Sequence, residues 1–89
     1  MPDHFRVRYD RTADVLYITT DDFGPAYGKE DAPGVFWRYL DRDGTLVGVT
    51  VMDFRTYWKP RLPTLVKHFS EHFHLPQRAA RDVLETVLE

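Results

Sequence analysis

The stretch VFWRYLDRDGTLVGVTVMD, residues 35 to 53, decides the fold. Two runs rich in β-branched and aromatic residues, Val35 to Leu40 and Leu46 to Phe54, flank Asp41-Arg42-Asp43-Gly44. Such runs read as strands. The Asp/Gly cluster reads as a tight turn in which Gly44 takes the positive φ that closes a hairpin loop. A calcium loop needs ligands at alternate positions and a distal Glu. The twelfth position counted from Tyr39 is Thr50, so the hairpin reading prevails. The second of these strands is apolar on both faces, with Val47, Val49 and Val51 on one and Leu46, Thr50 and Met52 on the other. A strand of that kind is central or covered on both sides. A helix is expected over one face and a second subunit over the other.

Working outward, Phe5-Arg6-Val7-Arg8-Tyr9 alternates apolar and basic residues and reads as a half-buried strand. Asp10 to Asp14 is a polar turn, and Val15 to Thr20 is a second strand. Residues 21 to 34, DDFGPAYGKEDAPG, hold two prolines and three glycines and read as a loop, with room for a short extended stretch near Tyr27 that crosses from one hairpin to the next. RTYWKPRLP, residues 55 to 63, is a connector. A helix then starts near Thr64, with Leu62, Leu65, Val66, Phe69 and Phe73 as its apolar stripe. Pro76 opens a second helix, whose stripe is Ala79, Ala80, Val83, Leu84, Val87 and Leu88. The expected fold is α+β: an antiparallel four-stranded sheet of two hairpins, followed by two C-terminal helices packed on one face. Residues 1–89 form a single domain, with the sheet in 5–54, the connector in 55–63 and a helical tail in 64–89.

Eighty-nine residues bury a modest core. The chain has no cysteine, which removes disulfides and thiolate metal sites as staples. A partner subunit is the simplest remaining aid, and the 15% aromatic content suits an interface. No apolar run approaches the roughly 20 residues that span a bilayer. The opening MPDHFRVRYD lacks the apolar core of a signal peptide, so a cytoplasmic protein without membrane association is expected.

Three groups of residues suggest chemistry. His68-Phe69-Ser70-Glu71-His72 matches H-x-x-E-H, in which histidines at i and i+4 share a helix face and a Glu serves as base. That pattern is the basis for a metal-dependent hydrolase at His68, Glu71 and His72. A third ligand is needed, with only Glu85, Glu89 and a few others downstream, and the chain is short for a substrate cleft, so the plainer reading is the solvent side of a helix whose apolar side is Phe69 and Phe73. Arg55, Tyr57, Trp58, Lys59 and Arg61 interleave cations with aromatics, as single-stranded nucleic-acid contacts or partner contacts do. Asp10, Asp14 and Asp53 lie near strand ends, where carboxylates either converge on a ligand or cap turns. No cofactor is expected.

YDRTADVLYI (9–18) followed by GVFWRYLDRDGTLVGVTVMD (34–53) resembles the prokaryotic family called domain of unknown function 2283, over roughly residues 7–54. The residues that carry the resemblance include Tyr9, Asp10, Asp14, Tyr17, Asp43, Gly44, Gly48 and Asp53. Residues 55 to 89 depart from the family pattern. The resemblance implies a small β-rich cytoplasmic protein with no established activity. Some relatives sit beside toxin-like genes, which suggests an antitoxin-like role. The leading expectation is a protein-interaction module, homodimeric or bound to a partner such as a toxin. A nucleic-acid binder and a metal-dependent hydrolase are the alternatives.

Overall fold

The computed structural model describes residues 5–22 and 24–88. Among these, five strands form one antiparallel sheet: β1 (Arg6–Asp10), β2 (Val15–Thr19), β3 (Ala26–Ala32), β4 (Val35–Leu40) and β5 (Leu46–Met52), in the order β1-β2-β5-β4-β3. The strand that is apolar on both faces, β5, lies at the centre. Two helices follow, α1 (Leu62–Phe73) and α2 (Gln77–Glu85). The α+β class stands, but the sheet has five strands and not four. The added strand lies in the segment read as a loop. AYGKEDA is poor in β-formers and almost wholly exposed, and backbone pairing to β4 holds it. An edge strand needs little burial, and its charged residues discourage further pairing.

The connector is helical in short pieces: a π-type turn at Phe54–Trp58 and a 3-10 turn at Lys59–Arg61. Helix α1 starts at Leu62, with Pro63 in its first turn, where a missing N–H costs nothing. It ends at His74, whose φ of 55° is left-handed.

The core lies between the helices and one sheet face. Leu16, Ile18, Val35, Trp37, Val49 and Val51 from the sheet meet Leu65, Val66, Phe69 and Phe73 of α1 and Ala80 and Leu84 of α2. The apolar stripes read from the sequence are the ones used, with Leu62, Ala79, Val83 and Val87 partly buried against this core; the Leu88 side chain lies outside what the structure describes. Phe54 and Trp58 of the connector complete this core. Both helices therefore cover the same face, and no element among the described residues covers the opposite one. No described helix is long and apolar enough to cross a membrane.

Candidate functional site

Four regions hold the suggestive residues. The first is a knot around Asp14. This residue adopts a left-handed φ of 58°, which aspartate tolerates better than most side chains. Its carboxylate accepts from the Tyr9 hydroxyl (2.6 Å), the Arg55 N–H (2.8 Å), the Thr56 N–H (3.1 Å) and the Thr56 hydroxyl (2.9 Å). Its backbone carbonyl accepts from the Phe54 N–H at 3.1 Å. Asp53, which sits at the N-cap position of the π-type turn, makes no side-chain capping bond, so Asp14 supplies the cap from the end of the neighbouring strand β2. Burial pushes the Asp14 carboxyl up, but the bonds from Tyr9, Arg55 and Thr56 outweigh it and hold the group at about 2. Burial, and next the bond to Asp14, push Tyr9 up.

The other acidic residues of this group serve their own turns. Asp10 accepts from the Thr12 and Ala13 N–H groups. Asp43 accepts from the Thr45 N–H, which lowers its carboxyl, and Gly44 closes that loop at φ 75°. Asp10, Asp14 and Asp53 do not assemble a shared carboxylate site. A shallow cavity of about 230 Å³ opens beside the knot, lined in part by Tyr9, Arg11, Arg55 and Val87.

The second region is the histidine stretch. His72 does not lie on the solvent side of α1. Its ring stacks on Trp37 at 3.8 Å between centroids and 5° between planes. Its Nδ1 lies 2.8 Å from the His68 carbonyl, and its Nε2 lies 3.4 Å from Asp31 on the edge strand. Glu71 is exposed and His68 is partly buried. The imidazole thus packs its ring face on Trp37 while its nitrogens face the His68 carbonyl and Asp31, and so joins α1 to the sheet. Among the described residues no three His, Asp or Glu groups gather as metal ligands. Glu89, a further acidic residue of the tail, lies outside them.

The third region is the connector. Trp58 is 3% exposed and belongs to the core. The Arg55 guanidinium donates to the Val87 carbonyl at 3.1 Å and lies 5.1 Å from the Tyr9 ring centre. Arg61 folds back over Tyr57 at 4.0 Å and donates to its carbonyl. Lys59 is exposed. The five residues are close in sequence, but the fold does not set them out as one stacking surface.

The fourth region is the bare face of the sheet. Paired residues on adjacent strands share a face, so the registers map it directly. One row runs Arg8, Tyr17, Thr50, Phe36, Glu30 across all five strands. The next runs Arg6, Thr19, Gly48, Arg38, Gly28. Arg8 lies 4.5 Å over the Tyr17 ring. Tyr17, Phe36 and Thr50 are half-buried, and Met52 is 44% exposed. Gly48 is a forced choice, because a Cβ there meets the Ile18 carbonyl oxygen at 2.7 Å. Sequence reading places Tyr17 and Gly48 in the family pattern but misses the arginines and Phe36. Alternation within each strand carried that signal, but the pairing partners were needed to use it.

A family model described as "Protein of unknown function (DUF2283)" matches residues 6–55, more than half of the chain. The chain belongs to this family. No curated protein and no solved structure matches it. The DUF2283 segment covers the whole sheet and ends at Arg55, whose N–H the Asp14 carboxylate holds. The DUF2283 residues singled out from the sequence thus include the parts of the knot, Tyr9 and Asp14, and the turn and close-approach residues Asp43, Gly44 and Gly48. These are residues that build a fold. Helices α1 and α2 lie beyond the matched segment.

Proposed function

We propose that this chain is a protein-interaction module that works through the sheet face opposite the helices. The single observation that carries this reading is the make-up of that face. Tyr17, Phe36, Thr50 and Met52 form a partly exposed apolar centre, and Arg6, Arg8 and Arg38 stand around it. Aromatic residues, Met and Arg are the types enriched in protein interfaces, whereas Lys, Glu and Asp are depleted. Lysine is absent from the two mapped rows, Glu30 is the only acid in them, and Asp10 begins the neighbouring row that holds Met52. An antitoxin-like role, with the face covering a toxin, is the finer form of this reading. A homodimer through the same face is another form.

The experiment is a tagged purification of the full chain from its native host beside the variants Phe36→Glu and Tyr57→Glu. Both side chains are at least partly exposed, and only Phe36 lies on the bare face. A stoichiometric protein partner, or a self-dimer by light scattering, should survive Tyr57→Glu and disappear with Phe36→Glu. An association that persists in both variants sinks the reading.

A further inference from the structure

The cavity beside the Asp14 knot has a lining that the knot does not use. Alternation along β1 sends Val7 and Tyr9 to the helix side of the sheet, where both pack against the core. After α2 the chain turns through Thr86–Leu88 and packs Val87 against the same core. The cavity of about 230 Å³ is lined by Val7, Tyr9, Arg11, Arg55, Thr86 and Val87. Two apolar side chains, Val7 and Val87, thus share it with two cations, Arg11 and Arg55. A neighbouring recess of about 410 Å³ is lined by Tyr9 and the same two arginines. Among the described residues no carboxylate pairs with Arg11 or Arg55. Arg11 is exposed. Arg55 is half-buried and donates one N–H to the Val87 carbonyl at 3.1 Å, with its guanidinium over the Tyr9 ring. A guanidinium has five N–H donors, so these contacts fix Arg55 at the cavity and leave donors for a ligand.

We propose that this cavity binds a small organic monocarboxylate, its carboxylate held by Arg11 and Arg55 and its short branched carbon body against Val7 and Val87. Guanidinium groups are suited to carboxylates because their planar fork makes paired hydrogen bonds. The local charge selects a monoanion. Asp14 is bonded to the Tyr9 hydroxyl but lies outside the lining. Two cations less that one anion leave a single positive charge, which a carboxylate balances. A phosphate group, with nearly two negative charges at neutral pH, exceeds it and is repelled by Asp14. Size agrees: at about 30 Å³ of liquid per water, the cavity has room for roughly seven heavy atoms, those of a five-carbon acid. The site is separate from the bare face, since Arg6 and Arg8 alternate to the opposite side of β1 from Val7 and Tyr9. The interaction reading and this one therefore stand or fall independently.

The test is a titration of the intact, isotope-labelled chain followed by heteronuclear NMR at neutral pH and low salt. The probes are isovalerate, its neutral amide, acetate and inorganic phosphate. Isovalerate should shift the backbone signals of Arg55, Thr86 and Val87 saturably, with a Kd of about 1 mM, as suits a shallow site. The amide should not bind, and acetate and phosphate should each bind about 5-fold more weakly or worse. Arg11→Gln should weaken isovalerate about 5-fold or more, with Arg38→Gln unchanged. Arg11 is exposed, so signals away from the cavity should stay in place and report an intact fold. Isovalerate and its amide binding alike, or binding that Arg11→Gln leaves unaltered, overturns the arginine site. Tighter binding of phosphate overturns the monocarboxylate. Absence of saturable shifts in both the parent and Glu89→Gln overturns the site. Binding seen only in Glu89→Gln overturns an external ligand, because the chain then supplies the carboxylate itself.

Discussion

The Asp14 carboxylate accepts the Arg55 backbone N–H at 2.8 Å across 41 residues of chain. That bond, with those from Tyr9 and Thr56, ties the first hairpin to the turn that leaves the sheet. It sets the direction in which Phe54 and Trp58 enter the core, and so where α1 begins. Removing a cap that serves several backbone donors costs about 1–2 kcal/mol. Asp14→Ala should therefore lower stability by about that amount in urea unfolding. Thr56→Val, which removes only one of two bonds from that residue, should lose less than half as much. An Asp14→Ala protein as stable as the parent contradicts the knot.

The same carboxylate predicts an acid limb. Its folded-state value of about 2 lies below the ordinary 3.8, so the folded protein binds the proton less readily than the unfolded chain does. The stabilisation is therefore complete above about 4 and fades as pH falls toward 2. Urea midpoints measured from pH 6 down to pH 2 should drop for the parent. Asp14→Asn should start lower and drop less steeply over that interval. Parallel curves for the two proteins refute the assignment.

Gly48 and Gly44 are constrained for different reasons, and alanine tells them apart. At Gly48 the new Cβ meets the Ile18 carbonyl oxygen at 2.7 Å, in the middle of a ladder, so β2 and β5 must separate. Overpacking of this kind costs about 1–3 kcal/mol. At Gly44 nothing lies within 4 Å and only the φ of 75° resists, at about 1 kcal/mol. Thermal melting should place Gly48→Ala well below Gly44→Ala. The reverse order is the failing result.

The sheet's centre was legible because β-branched alternation in β2, β4 and β5 carries face and burial together, and DRDG closes a hairpin by local chemistry alone. The edge strand β3 was legible only as a short extended stretch near Tyr27. Gly28, Lys29, Glu30 and Asp31 stay exposed, so no periodicity marks them, and their partner β4 is what makes them a strand. The knot was hidden for a related reason. Asp14 reads as an ordinary turn residue until the fold brings Arg55 and Thr56 to it. The open face needed register as well, since Arg6 and Arg38 are 32 positions apart in the chain and fall in one row only through β2 and β5. His72 went the other way: local spacing suggested a ligand or a solvated side chain, whereas its neighbour Trp37 makes it a packing plate.

Packing separates the two histidines of the H-x-x-E-H pattern. His72 lies flat on Trp37 and also faces Asp31, so His72→Ala removes a stacked ring contact worth about 0.5–1.5 kcal/mol and leaves a gap over a large buried indole. His68 is only partly buried, and its ring centre lies 6.5 Å from that of His72. His68→Ala should change stability by less than about 0.5 kcal/mol. A helical metal site predicts something else, namely equal sensitivity at both positions and a melting temperature that rises with zinc. Differential scanning fluorimetry of the parent and both variants, with and without equimolar zinc, decides between them. The expected result is a loss confined to His72→Ala and no response to zinc; a zinc-dependent rise that either substitution abolishes would restore the metal site and remove the packing role argued for His72.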